Sequence, residues 1–118
     1  MKDYERLQVW SKAHFLALAV HAVTKRFPRE ELHCLTSQMR RSSMSIASNI
    51  AEGCYRATDI DMARFLQMAL GSAGELRYPP LYAFDLGYIP EKEYQALRGQ
   101  VEEVMKMLYS FWRTLRSR

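Results

Sequence analysis

Between Tyr94 and Leu115 the chain sets Tyr94, Leu97, Val101, Val104, Leu108, Phe111 and Leu115 at intervals of 3, 4, 3, 4, 3 and 4 residues. That alternation draws one apolar stripe along a helix of about six turns. A heptad stripe buries itself best against neighbouring helices at a shallow left-handed angle. No segment carries sustained strand alternation, and helical spacing recurs elsewhere in the chain. The expected fold class is therefore all-α: a single antiparallel up-down four-helix bundle over residues 1–118.

The punctuation between helices fits that architecture. A first helix is expected from about Tyr4 to Arg26, ending before Phe27-Pro28 because the residue before proline is driven from the α region. Thr36 is the expected N-cap of a second helix from Ser37 to about Tyr55. Thr58-Asp59-Ile60-Asp61 reads as a capping box opening the third, whose buried face is expected at Met62, Leu66, Ala69, Ala73 and Leu76. Pro79 and Pro80 lack the amide hydrogens that would bond the carbonyls of Glu75 and Leu76, so a break is expected between Arg77 and Pro80, with a short helix resuming to Leu86. Gly87 supplies a left-handed stop, and Pro90 the first helical position of the fourth helix.

Two stretches do not fit a plain amphipathic pattern. Ala13 to Val23 is apolar nearly all round, with Phe15, Leu16, Leu18, Val20 and Val23, and a small monomer cannot bury such a helix on every side. Self-association through the first helix follows as an expectation. Around RRSSMSIASNIAEG, residues 40–53, the preceding Met39 shares one face with Ser43, Ile46, Ile50 and Gly53, flanked by Ser42 and Asn49. On the third helix Gly71, Ser72, Ala73 and Gly74 are equally small. Glycine within a helix costs about 1 kcal/mol relative to alanine, so the two helices are expected to approach closely there, with the Asn49 amide meeting Ser72 or Glu75.

Charge is unevenly placed. Up to Met105 the 13 Lys and Arg balance 13 Asp and Glu; Lys106, Arg113, Arg116 and Arg118 then hold the whole excess of +4. Such a terminal stripe suits a nucleic acid, an anionic membrane or an acidic protein, or else simply complements the dipole of a helix end. Arg40 and Arg41 start the second helix, Arg56 and Arg64 bracket the next link, and Tyr109 and Trp112 lie among the terminal cations. Guanidinium groups grip phosphate and aromatic rings stack on unpaired bases, so these residues form the candidate nucleic-acid set.

Other chemistries lack their parts. The serines fall in no GxSxG or Ser-x-x-Lys pattern, and the glycines in no phosphate loop, so no catalytic residue is assigned and the protein is expected not to be an enzyme. His14 and His21 are two helical turns apart, roughly 10 Å, too far to share a metal, and no metal or other cofactor is expected. Cys34 and Cys54 would lie roughly 25 to 30 Å apart on a largely helical segment, beyond disulfide reach. The apolar run of 11 residues is too short to cross a bilayer, and a cytoplasmic location is expected.

The pattern FP..E...LTSQMRR...SI.SNIAEG at 27–53, with FL..A.GS..EL at 65–76 and LGYI at 86–89, resembles the four-helix-bundle proteins encoded in intervening sequences of bacterial 23S ribosomal RNA genes. That family is related in fold to the accessory variability determinant of diversity-generating retroelements. The resemblance implies a homopentameric ring, no catalytic residues, and structural roles for most motif positions, among them Ser45, Asn49, Glu52, Gly53, Gly71, Ser72 and Glu75. Through the retroelement branch it also implies two partner classes, nucleic acid and a reverse transcriptase. Two departures from the family pattern stand out, Cys34 where relatives carry glycine and the Pro79-Pro80 pair. The expected function is RNA binding by a basic oligomeric bundle through repeated arginine patches, as accessory factor to a nucleic-acid-processing partner. The alternative is an interaction scaffold that recruits a reverse transcriptase without touching nucleic acid.

Overall fold

The computed structural model describes residues 2–117, all of its regular elements being helical. Five α-helices form four rods: α1 (Gln8–Thr24), α2 (Ser37–Cys54), α3 (Asp59–Glu75) continued by the short α4 (Tyr78–Asp85), and α5 (Glu91–Arg116). Helix α1 packs on α2 and α5, and α3 packs on the same two, giving the expected up-down order. The body measures 46 × 23 × 20 Å.

The α5 stripe faces the core as its spacing demands. Tyr94, Leu97, Val101, Val104, Leu108 and Leu115 are buried, and Phe111 is half-buried. From α3 and its C-cap, Met62, Leu66, Ala69, Ala73 and Leu76 are buried in the same core, while Leu16, Val20, Met39, Ile46 and Ile50 complete the interior. Truncating one such leucine to alanine would cost about 2–5 kcal/mol through lost transfer energy and the cavity left behind.

Helix boundaries show where local chemistry wins over periodicity. Thr58 caps α3 as expected, its Oγ1 accepting from the Asp61 amide at 3.1 Å. The chain breaks at Leu76-Arg77 and α4 starts at Tyr78, with Pro79 and Pro80 buried in its first turn, where proline needs no amide partner. Both Leu76 and Arg77 keep right-handed helical backbone, so the rod is interrupted without reversing. Gly87 takes φ +85 and its amide donates to the Phe84 carbonyl at 2.9 Å, ending α4 as expected.

Three boundaries differ from expectation. Tyr4–Arg6 is a single 3-10 turn, because the Asp3 carboxylate accepts from the Glu5 amide at 3.1 Å and Leu7 turns extended; α1 therefore begins at Gln8 and ends at Thr24. Thr36 is not a cap. It closes a π turn, Leu32–Thr36, that runs directly into α2; its backbone is already helical and the Ser37 amide is donated to the Cys34 carbonyl. Pro90 is the N-cap of α5, and Glu91 the first helical residue.

Candidate nucleic-acid interface

Antiparallel packing brings the α2–α3 link and the last turns of α5 to the same end of the bundle. There Arg56 and Arg64 both address the Phe65 ring, with guanidinium carbons 5.2 and 5.8 Å from its centroid. Arg56 also pairs with Glu52 at 3.6 Å, one helical turn back, and Arg64 with Asp61 at 3.5 Å. On α5, Arg113 lies 6.0 Å from the Tyr109 ring and Arg116 5.4 Å from the Trp112 ring, and the two rings are 5.8 Å apart. Arg64 and Arg116 both line a groove of about 540 Å³ whose wall includes Ile60, Gln67 and Trp112.

The arginines differ in how committed they are. Arg56 is half-buried and its Nε has no hydrogen-bond partner, so it is held mainly by Glu52 and the ring beneath it. Arg113 and Arg116 are exposed and have no carboxylate partner among the described residues. Lys106 is also exposed and has no carboxylate partner among the described residues, but it sits about 15 Å back along α5, at a groove shared with Leu7 and Val9. Arg118 lies outside the described residues.

Arg40 and Arg41 do not join this cluster. Arg41 is about 22 Å from Arg56 along the α2 axis. Arg40 is half-buried and donates from Nε to Thr24 Oγ1 at 2.8 Å, tying α2 to the end of α1. Arg41 makes a loose contact of 4.0 Å with Glu75, both groups more than half exposed.

The motif residues form the α2–α3 seam. Ser45 and Ser72 share a hydroxyl hydrogen bond of 2.9 Å, and the Asn49 amide donates to the Ser45 carbonyl at 2.9 Å and to Ser45 Oγ at 3.1 Å. Asn49 thus reaches Ser72 through Ser45, and neither Ser72 nor Glu75 directly. Gly53 makes the close approach: a Cβ there would stand 3.1 Å from Phe65 Cβ and 3.4 Å from the Met62 carbonyl. Gly71 does not, for it is exposed and a Cβ would meet nothing within 4 Å. It sits about 200° around α3 from the buried Ala73, on the side away from the seam.

Ser42 and Ser43 donate to the carbonyls of Gln38 and Arg40 one turn back, at 2.9 and 3.1 Å. Burial pushes the Cys54 thiol above its ordinary value, against the opposing pull of Lys2. No group of three or more His, Cys, Asp or Glu side chains suited to a metal occurs among the described residues. Among them, too, no helix is long and apolar enough to cross a membrane.

Sequence reasoning missed two features. Phe65 underlies both Arg56 and Arg64, and its position next to Arg64 was the available signal. Tyr78 and Tyr82 form an exposed ring pair with centroids 6.2 Å apart, foreshadowed by their spacing of four on α4.

The fold recurs in the crystal structure of a protein of unknown function from the S23 ribosomal protein family of Bacteroides thetaiotaomicron, with TM-score 0.81 and 26% identity over 88% of this chain and 97% of that one. No curated protein matches the chain. The model of the 23S rRNA-intervening sequence protein family matches residues 5–110. With nine-tenths of its length matched, and with the same helical architecture in the S23 relative, the chain belongs to the 23S rRNA-intervening sequence protein family.

Proposed function

We propose that this protein is a non-enzymatic RNA-binding bundle that grips phosphate with the arginines at the α3–α5 end. The observation that carries the reading is Arg113 and Arg116: each is exposed, each lies beside an aromatic ring, and neither has a carboxylate partner among the described residues. A guanidinium so placed can give two parallel hydrogen bonds to a phosphate, while Tyr109 and Trp112 offer faces to unpaired bases. The family's link to 23S rRNA makes structured RNA the natural substrate class. Self-assembly through the exposed Phe15 and Leu18, as a homopentameric ring in the cytoplasm, would repeat the patch and raise avidity without any new contact.

Titration of a labelled structured RNA across roughly 50 to 200 mM salt tests the reading. Wild-type affinity should fall steeply, and in the Arg113→Gln/Arg116→Gln variant the log–log slope should flatten by about one to two. Affinity independent of salt would reject the mechanism. A second reading draws on Ile60, which is 80% exposed at the edge of the same groove. An isoleucine so open suits a protein partner, such as the reverse transcriptase of a retroelement related through the accessory variability determinant, recruited by a bundle that leaves RNA alone.

A further inference from the structure

At the other end of the bundle, α4 faces the start of α2 across an open groove of about 770 Å³. We propose that this groove, walled by Tyr78 and Tyr82 on one side and Gln38 and Arg41 on the other, is a subsite for an unpaired nucleotide of single-stranded RNA.

The proline pair creates the aromatic wall. Pro79 and Pro80 turn inward and are buried, which leaves Tyr78 and Tyr82 on the outer face of α4, one turn apart and 65% and 46% exposed. Their rings sit 6.2 Å apart at 51°, and neither hydroxyl has a hydrogen-bond partner among the described residues. Such a pair buries little in the free protein, and it offers π-faces that accept any base.

The opposite wall supplies polar groups, Gln38 and Arg41. Among the described residues Arg41 is tied only to Glu75, at 4.0 Å with both partners more than half exposed, a contact that water screens and a phosphate can displace. The exposed Gln38 amide, three residues before Arg41 on the same helix face, makes no side-chain hydrogen bond among the described residues and so offers donors and an acceptor to a base edge. Glu31 closes the groove. Its carboxylate accepts from Tyr88 Oη at 3.1 Å, which places a negative charge there and confines phosphate to the Arg41 side. One ring wall, one cation and one amide are the parts that hold a single nucleotide, and duplex RNA, whose bases are stacked inside, cannot use the ring wall.

The inference deepens the RNA-binding reading but is tested apart from it. Adenosine monophosphate is titrated into the full chain and followed by amide and side-chain NMR. Shifts are expected at the Gln38 side-chain amide and Arg41 Nε, lost in Tyr78→Ala/Tyr82→Ala, retained in Tyr78→Phe/Tyr82→Phe, and unaffected by Arg113→Gln/Arg116→Gln. A single-stranded oligoadenylate should bind the alanine variant roughly tenfold more weakly than wild type, with duplex binding unchanged. Absence of groove shifts with the mononucleotide, or equal shifts with inorganic phosphate alone, overturns the proposal. Groove shifts with the mononucleotide alongside salt-independent RNA binding would keep the subsite and sink the α3–α5 mechanism instead.

Discussion

Ser45 on α2 and Ser72 on α3 join their hydroxyls across the helix seam at 2.9 Å, and Asn49 anchors the first of them from one turn further along. The arrangement spends polar groups on register. Ser72 is buried, so sliding α3 along α2 would leave its hydroxyl without the Ser45 partner in a buried setting.

A double-mutant cycle measures that link. Ser45→Ala and Ser72→Ala should each destabilise the fold by about 0.5–1.5 kcal/mol in urea unfolding, and the pair together by less than their sum, because one hydrogen bond is lost in both. Strict additivity would mean that the two hydroxyls do not interact in solution.

The two motif glycines are predicted to respond with opposite signs. Gly53→Ala pushes a methyl to 3.1 Å from Phe65 Cβ and 3.4 Å from the Met62 carbonyl, atoms fixed to the α3 backbone that cannot yield unless the helix moves. The strain of overpacking, about 1–3 kcal/mol, should outweigh the roughly 1 kcal/mol gained in helix propensity. Gly71→Ala meets nothing within 4 Å and should stabilise by about 1 kcal/mol. Thermal melting of the two variants separates them.

These glycines show how far the sequence was readable. The α5 heptad and the α3 stripe were legible because side-chain direction follows from 3.6 residues per turn, and the Pro79-Pro80 break because a pyrrolidine ring removes a donor wherever it stands. Gly71 was misread because small size says nothing about which way a residue faces, and only the neighbouring Ser72 and Ala73 point into the seam. Thr36 failed as a cap for a different reason: whether a helix has unpaired first amides depends on the chain before it, and the π turn had already used them. At the candidate interface, Arg40 and Arg56 looked as available as Arg113. Burial and their partners, Thr24 for one and Glu52 with Phe65 for the other, separate them only in three dimensions.

Alkaline pH should weaken the fold through Cys54. Its thiol is 1% exposed and burial raises its pKa, so the native state holds the proton more tightly than the unfolded chain. A raised folded pKa contributes stability that is fully present below the unfolded value, about 8.5, and is lost as pH climbs from there through the folded value. Urea unfolding of wild type and Cys54→Ala from roughly pH 7 to 10 should show the stability difference between them shrinking or reversing above about 8.5. Native-state labelling with a thiol reagent should modify the exposed Cys34 and spare Cys54. Rapid labelling of both would contradict the burial.

Assembly is the remaining prediction, and it rests on α1. That helix buries Val9, Ala13, Leu16, Val20 and Val23 within its own bundle, yet leaves Phe15 60% and Leu18 52% exposed on its outer side. Two large apolar side chains held in water one turn apart favour a partner surface, and each fully buried would contribute about 1.5–3 kcal/mol. Light scattering at micromolar concentration should return a multiple of the 13.8 kDa chain mass for wild type, and a single-chain mass for Phe15→Glu/Leu18→Glu, whose carboxylates resist burial. Helical circular dichroism of the variant should match wild type, since neither side chain belongs to the core. A wild-type mass of one chain would remove self-assembly, and with it the avidity argument for RNA binding.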